Sequence, residues 1–261
     1  MSVVLEVQDN IAIISLSRPE RRNALTQAML ADVERIADEL RGDGRVRAVV
    51  LCGQGSDFSV GADISEMQAR MANPAPLADA RRSAQLGARV MRAVMGIDQP
   101  TVCAVQGVAT GGATCLASAC DFRIAAAGAR LGYGEVKIGI PLMWNALGPL
   151  TALIGPARAK RMVMTGELFD AETLSAWGLI DEVVAADVLD VRALALAAEL
   201  AALPPLAVQM IKRSINAVAH ALDAAVLHAD ADQWLLATQG DDFSEAVAAF
   251  REKRSGRFTG N

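Results

Sequence analysis

Two glycine-containing loops decide the fold of this chain: Asp57-Phe58-Ser59-Val60-Gly61-Ala62-Asp63-Ile64 and Ala104-Val105-Gln106-Gly107-Val108-Ala109-Thr110-Gly111-Gly112-Ala113-Thr114. Short apolar runs at residues 48–52 and 101–105 precede them and predict buried strands, and a predicted helix follows each loop. The first N–H groups of a helix have no partner within it and lie at the positive end of the helix dipole, so each loop could present free amides to a negative charge. For either loop alone, a plain turn between strand and helix explains the glycines equally well.

The alternation of strand and helix continues on both sides of these loops. Runs rich in β-branched residues at 3–7 and 11–16 predict a hairpin, and further strands are predicted at 121–125 and around Leu131. Apolar residues recur at helical spacing from about Thr26, and the face predicted to be buried comprises Met29, Leu30, Val33, Ile36, Ala37 and Leu40. Beyond about residue 186 only helices are predicted, at 188–203, 205–236 and 243–253. We therefore expect an α/β fold followed by a helical layer.

The composition indicates a globular protein and argues against several classes of partner. Of the 261 residues, 52% are hydrophobic, 21% are charged and 4% are aromatic, and the formal net charge is -5. A chain without a Lys/Arg stripe and with few aromatic residues is not expected to bind nucleic acid. Its four cysteines form no CxxC pair, which favours a reducing compartment. Because no signal peptide and no apolar run of about 18 residues are visible, we expect a cytoplasmic protein with no membrane partner.

The two loops together are much more specific than either alone. Residues 58–64, Phe-Ser-x-Gly-Ala-Asp-Ile, and residues 104–112, Ala-Val-x-Gly-x-Ala-x-Gly-Gly, resemble the paired signatures of the crotonase superfamily, the enoyl-CoA hydratase/isomerase family. The resemblance continues in the family's order through 119–125 (Ala-Cys-Asp-Phe-Arg-Ile-Ala), 134–141 (Gly-Glu-Val-Lys-Ile-Gly-Ile-Pro), 165–167, 176–180 and 249–254. It covers nearly the whole chain, so the chain is identified as a member of this family.

The resemblance implies the architecture and the ligand. The fold would be a crotonase-like spiral of ββα units over residues 1–195, followed by a helical module over residues 196–261 that makes trimer contacts and closes over the ligand. A homotrimer or a dimer of trimers is expected, because Ala/Leu-rich helix faces such as those of the C-terminal region need burial. The expected ligand is an acyl-CoA thioester. Coenzyme A is then part of the substrate, and neither a separate cofactor nor a metal ion is expected.

The resemblance also assigns the chemistry. The backbone N–H groups of Ala62 and Gly112 would form an oxyanion hole for the enolate that appears when a proton is removed next to a thioester. Hydratases of the family use two glutamates; the second matches Glu135, but the position of the first, three residues after Gly112, is occupied by Cys115. A thiol in an apolar helix is predicted to be buried and neutral rather than a nucleophile.

Glu135 alone can take a proton from one carbon and return it to another, which favours double-bond isomerisation from β,γ to α,β enoyl-CoA. An exposed glutamate without a role is the plainer explanation of this residue, and the family register around it argues against that. Hydration by Glu135 with an unidentified second acid remains open, as does a non-catalytic homologue that binds acyl-CoA.

Several positions are assigned to coenzyme A or substrate binding by the same resemblance: Arg22, Ala24, Ser59, Asp63, Ile64, Gly111, Cys115, Trp144, Phe250 and Lys253. Arg22 and Ala24 would meet the pantetheine and nucleotide, Asp63 and Ile64 the adenine, and Phe250 and Lys253 would close over the ligand, often from a neighbouring subunit. Lys253 is equally well explained as a solvated charge, and Trp144 as a core residue instead of a wall of the acyl site.

Other classes of enzyme lack their required residues. A Ser-His-Asp set would need a histidine near the glycine loops, and the two histidines, His220 and His228, lie far along the chain in the helical region. Their spacing matches no common metal motif. The sequence contains neither the GxGxxG pattern of a dinucleotide-binding fold nor the GxxxxGK pattern of a P-loop.

Overall fold

The computed structural model describes residues 2–261 apart from Ala224, Val226 and Leu227. Two sheets form the centre of the described chain. Their strands are β1 (Val3–Gln8), β2 (Ile11–Leu16), β3 (Ala48–Gly53), β4 (Thr101–Val105), β5 (Val108–Thr110), β6 (Phe122–Ala126), β7 (Arg130–Gly132), β8 (Leu168–Asp170) and β9 (Glu182–Val184). The larger sheet has the order β1-β2-β3-β4-β6-β9 and the smaller one the order β5-β7-β8. Among the described strands, β1–β2 and β7–β8 pair antiparallel and the other neighbouring pairs are parallel, so the α/β class is confirmed.

Helices cover the sheets and make up the C-terminal region. They are α1 (Gln27–Arg41), α2 (Ile64–Ala72), α3 (Leu77–Ala84), α4 (Leu86–Met95), α5 (Gly112–Ala119), α6 (Leu147–Thr165), α7 (Ala171–Trp177), α8 (Leu189–Ala201), α9 (Pro205–Ala219), α10 (Asp230–Gln239) and α11 (Asp241–Glu252). Helix α6 is interrupted at Gly155, which adopts a positive φ of 75° immediately before Pro156. The helical stretch predicted at 205–236 is not continuous, because α9 ends at Ala219; part of that stretch lies outside the described residues.

The local predictions for the N-terminal region are confirmed. The hairpin forms as β1 and β2, and the side chain of Thr26 caps α1 by accepting a hydrogen bond from the Met29 N–H at 3.2 Å. All six residues of the predicted apolar face of α1 are buried. Gly42 follows the last residue of the helix.

Helix α8 lies on one face of the larger sheet. Its residues Leu189, Ala193, Ala197 and Ala201 are buried in a cluster with strand residues such as Val102. Alanines at this spacing let a helix approach a sheet closely. The predicted boundary between residues 195 and 196 therefore falls inside a continuous helix, while the division into two domains stays a prediction.

No single helix in the described part of the chain is long and apolar enough to cross a membrane. The segments Ala186–Ala201 and Pro205–Ala219 satisfy the length and composition only as a pair, and that pair is bent by 106°.

Candidate active site

The two glycine loops lie side by side. Phe58 N donates to Gln106 O at 2.8 Å, Ser59 N to Val108 O at 3.1 Å, and Thr110 N to Ser59 O at 3.2 Å. A Cβ at Gly61 would meet the Thr110 carbonyl, so only glycine permits this approach. This short parallel pairing places residues 61–62 next to residues 110–112, which are fifty residues away in the sequence.

The backbone N–H groups of Ala62 and Gly112 are both free. Ala62 forms a parallel bridge with Leu25 in which Leu25 N donates to Gly61 O and Asp63 N donates to Leu25 O, at 2.8 and 2.9 Å. In such a bridge the N–H of the opposite residue, Ala62, points away from the pair. Gly112 is the first residue of α5, where a helix leaves its N–H unpaired. Neither group has a backbone hydrogen-bond partner among the residues that the structure describes.

A buried carboxylate joins the two loops. Asp57 accepts hydrogen bonds from Arg22 Nε at 2.8 Å, from Ser56 Oγ at 2.7 Å and from Val108 N at 2.9 Å. The hydrogen bonds from Arg22, with those from Ser56 and Val108, lower the pKa of Asp57 to about 2. Sequence reasoning missed this carboxylate, although an aspartate directly before the loop motif was a possible signal.

Glu135 faces the second loop from the turn that follows β7. Its Oε1 lies only 2.9 Å from where a Cβ of Gly111 would be, so a glycine at 111 makes room for the carboxylate. Gly111 also has a positive φ of 58°. Glu135 Oε2 is shielded from solvent and accepts no hydrogen bond from the described residues. Burial raises the pKa of Glu135 to about 7, because a dry environment disfavours the charged form.

Cys115 lies one turn into α5 and is only 1% exposed. Burial raises the pKa of its thiol well above the usual range, and the negative charges of Glu135 and Asp230 raise it further. The burial of this thiol predicted from the sequence is confirmed, and its neutral state stays a prediction that the raised pKa supports. Among the described residues, no cluster of three or more His, Cys, Asp or Glu side chains is placed to hold a metal ion.

Trp144 lies against the second glycine loop, and Asp230 from the C-terminal region contacts the turn formed by Trp144 and Asn145. A Cβ at either Gly87 or Gly112 would collide with the indole, which therefore packs across α4 and α5. Asp230, which is 7% exposed, accepts a hydrogen bond from Asn145 N at 2.6 Å. Trp144 and Asp230 both line a cavity of about 220 Å³. Nothing in the sequence pattern marks Asp230, which stands alone between two alanines.

The remaining predicted positions on the N-terminal side have structural partners. Ser59 is buried and donates to Asn23 O at 2.7 Å, and Asp63 caps α2 by accepting from Ser65 N at 3.0 Å. Ala24 accepts a hydrogen bond through its carbonyl from Arg18 at 2.7 Å, and Ile64 is the first residue of α2. The guanidinium of Arg22 is engaged by Asp57, although the side chain is 56% exposed. Their roles in ligand binding stay predictions.

Phe250 and Lys253 lie near the end of α11. That helix packs Phe243 and Ala246 against Gly139, just after the turn that carries Glu135. The Phe250 ring is 52% exposed, and Lys253 adopts a positive φ of 54° after the last residue of the helix. Neither side chain forms a hydrogen bond or an ion pair with the glycine loops in the part of the chain that the structure describes.

Comparison with known proteins places this geometry in a family. Residues 6–261 match the family described as enoyl-CoA hydratase/isomerase. The chain is 32% identical to the crotonyl-CoA hydratase of Syntrophomonas wolfei, over 98% of this chain and 97% of that protein. It is also 32% identical to the 1,2-epoxyphenylacetyl-CoA isomerase of Escherichia coli, over 99% and 98% of the two chains.

Solved structures agree with the sequence relatives. An enoyl-CoA hydratase from Mycobacterium avium subsp. paratuberculosis superposes with a TM-score of 0.89 at 26% identity, over 99% of each chain. An enoyl-CoA hydratase/isomerase from Pseudoalteromonas atlantica gives a TM-score of 0.88 at 26% identity, over 99% of this chain and all of that one. The crotonase fold predicted from the two loops is thereby confirmed, and the chain belongs to the enoyl-CoA hydratase/isomerase family of crotonase-superfamily enzymes.

Proposed function

We propose that this enzyme isomerises an enoyl-CoA thioester, moving its double bond from the β,γ to the α,β position with Glu135 as the single acid/base. The N–H groups of Ala62 and Gly112 are the proposed donors to the thioester oxygen. One observation carries the proposal: a carboxylate with a raised pKa lies against Gly111, while the position of the family's other glutamate is a buried thiol, Cys115.

The proposed reaction is a proton transfer between two carbons. The Glu135 carboxylate takes a proton from C2; the electrons of the broken C–H bond move toward the carbonyl and leave a dienolate. Glu135 then returns the proton to C4, and the double bond ends between C2 and C3. Two amides aimed at the enolate oxygen stabilise its charge, and losing one such donor typically costs about 3–4 kcal/mol.

The environment of Glu135 suits this double role. With a pKa of about 7, the carboxyl is divided between its charged and neutral forms near neutral pH, so it can accept and return a proton with little bias. Its Oε2 has no competing donor among the described residues. A shielded carboxyl also loses its proton to bulk water more slowly, which favours return of the same proton to the substrate.

Hydration is the second candidate, and the relatives favour it. Besides the crotonyl-CoA hydratase, a short-chain-enoyl-CoA hydratase of Clostridium acetobutylicum is 31% identical over 97% of this chain and 95% of its own. Hydration needs a water molecule to be held and polarised as well as a proton to be delivered. Glu135 would then act with a second acid that Cys115 does not supply.

A matched pair of assays separates the two reactions. Wild-type enzyme should convert a 3-enoyl-CoA to the 2-enoyl-CoA faster than it hydrates crotonyl-CoA. Glu135→Gln should abolish isomerisation and the exchange of the C2 proton with deuterated water, while acyl-CoA affinity stays within a few-fold, because the amide keeps the shape and removes the base. Loss of a general base is worth about a hundred- to ten-thousand-fold in rate.

Substitutions of Cys115 provide the control and the converse test. Cys115→Ser should be mild if the thiol only fills space, whereas Cys115→Glu restores a second carboxylate and should raise hydration relative to isomerisation. Rapid hydration of crotonyl-CoA by the wild-type enzyme would refute the isomerase proposal in favour of hydration. An absence of turnover on the whole panel would favour an acyl-CoA-binding role.

We also propose that copies of the chain associate through α9. This helix exposes several large apolar side chains, with Leu206 72%, Met210 66%, Ile215 61% and Val218 81% exposed. An apolar surface of this kind is rarely left open to water. Light scattering at micromolar concentration tests this association: a monomer would contradict the proposal.

A further inference from the structure

The segment that carries Trp144 has an unusual backbone. Trp144 and Asn145 adopt positive φ angles of 69° and 60° in succession. Asparagine tolerates this left-handed region, but for a bulky residue such as tryptophan it is rare and unfavourable, by about 1–3 kcal/mol per residue held in a sparsely populated region. Two such residues in a row persist only when their surroundings hold them.

Asp230 provides that hold. Its Oδ2 accepts a 2.6 Å hydrogen bond from the Asn145 N–H, and this is the one hydrogen bond found for its carboxylate among the described residues. The aspartate is 7% exposed and lies at the start of α10, so the bond ties the turn to a helix far along the chain. Burying a carboxylate is unfavourable without such compensation, which indicates a specific role for this one.

The turn at residues 144–145 directs the indole of Trp144 to the second glycine loop. The pyrrole part of Trp144 lies where a Cβ of Gly87 would be, and the benzo part where a Cβ of Gly112 would be. Trp144 also lines the cavity of about 220 Å³, together with Met143 and Asp230. Trp144 therefore contacts Gly112 and also borders that cavity, which is somewhat larger than the 150 Å³ or so that holds a benzene molecule.

We propose that Asp230 is a positioning residue that holds Trp144 as the acyl-side wall of the oxyanion hole, and that this wall restricts the enzyme to compact acyl groups. With the indole in place, the acyl group is confined to the space beside Gly112. Without it, the cavity joins that space and a longer acyl chain fits. The inference about acyl size rests on the proposed function, whereas the hold of Asp230 on Trp144 does not.

The first experiment reads the position of the indole without any substrate. In a Trp177→Phe, Trp234→Phe background, Trp144 is the single tryptophan, and its fluorescence and quenching by acrylamide report its burial. Asp230→Leu removes the acceptor of the Asn145 N–H with a side chain of similar size. The loss of one hydrogen bond changes the ratio of the held to the released conformation of the turn about five- to ten-fold, so the quenching constant should rise about two-fold or more. Asp232→Leu, which breaks only the exposed pair with Arg81, is the matched control and should leave quenching unchanged.

A rescue distinguishes positioning from general damage. Asn145→Gly adopts the left-handed conformation freely, so adding it to Asp230→Leu should restore the wild-type quenching. Unchanged quenching in Asp230→Leu would overturn the proposal, and so would a change that Asn145→Gly leaves uncorrected. If Asp230→Leu does not fold, Asn145→Ala and Asn145→Gly decide: alanine should raise quenching and glycine should not, and equal behaviour would overturn the proposal.

The second experiment measures acyl size. Relative kcat/KM over enoyl-CoA esters of 4 to about 12 carbons should favour the shortest esters in the wild type and shift to longer ones in Asp230→Leu and Trp144→Ala, with about ten-fold or more lost on the shortest. A profile that does not move in either variant would refute the wall. If no ester is turned over by the wild type, the proposed function has failed, and the fluorescence experiment still decides the role of Asp230.

Discussion

Replacing Glu135 by glutamine should make the folded protein progressively more stable relative to wild type as the pH rises, although it removes the proposed catalytic group. The pKa of this carboxyl is raised from 4.5 to about 7 by burial. A raised pKa means that the folded state binds the proton more tightly than the unfolded state does, so unfolding releases it and stability falls as pH rises. The penalty is absent below the unfolded pKa of about 4.5, grows between the two values and is complete above about 7.

The size of the effect follows from the shift. Each pKa unit corresponds to about 1.4 kcal/mol, so the whole penalty is about 3 kcal/mol, of which about 2–3 kcal/mol develops between pH 5 and pH 8. For a chain of this size that is a difference of about 5–10 °C in the melting temperature. Glutamine also buries an amide group without a partner at the place of Oε2. This lowers the free energy of unfolding by an amount that does not depend on pH. The informative quantity is therefore the change with pH and not the offset.

The assay compares thermal or urea unfolding of wild type and Glu135→Gln at pH 5, 6, 7 and 8, at one protein concentration because association shifts the midpoint. Glu167→Gln, at an exposed glutamate, controls for removing one carboxylate from the chain. The stability difference between Glu135→Gln and wild type should rise steadily from pH 5 to pH 8. A flat difference would refute the claim that the carboxyl of the half-buried Glu135 is shielded and has a raised pKa, and with it the basis for a carboxyl that both takes and returns a proton.

Three further perturbations test other parts of the site. Asp57→Asn should lower the free energy of unfolding by about 2–4 kcal/mol in urea, because it removes a buried carboxylate that accepts from Arg22, Ser56 and Val108. Arg22→Ala removes the exposed member of the Arg22–Asp57 ion pair and should lower it by about 1 kcal/mol or less. Equal losses in the two variants would contradict this account. Gly87→Ala should lower the free energy of unfolding by about 1–3 kcal/mol, because the added methyl group collides with the indole of Trp144. Adding Trp144→Ala should remove this loss. The same loss with and without the indole would count against the packing described. Met210→Lys should shift light scattering toward smaller species if the exposed face of α9 is an interface, and an unchanged mass would exclude this position from it.

The parts of the fold that sequence predicts best are those fixed by local physics. The apolar spacing of α1 follows from helix geometry, and all six residues that it marks are buried in the structure. Short strands are harder: β5, β8 and β9 have three residues each and carry too little periodicity to be distinguished from loops. The strand β5 lies within the second loop itself, where the glycine pattern masks it.

The candidate site divides in the same way. Ala62, Gly112 and Glu135 could be predicted because contiguous motifs contain them, and the structure brings their loops and turn together. Asp230 could not, because its role depends on one hydrogen bond to a turn 85 residues earlier. A bond over such a distance leaves no period or spacing in the sequence. Arg22 was assigned to coenzyme A, and its partnership with Asp57 depends in the same way on a contact that folding creates.

The thiol at position 115 and the carboxylate at position 230 are best understood together. The Cys115 side chain is buried within the electrostatic influence of both Glu135 and Asp230. A glutamate in its place would add a third carboxyl to a shielded region, and like charges there raise each other's pKa and oppose folding. With a neutral thiol at position 115, Glu135 is left as the charge next to Gly111, and Asp230 remains available to hold the Trp144 turn. The loss of one carboxylate from the family pattern is therefore compatible with an intact site whose second acidic residue has a positioning role.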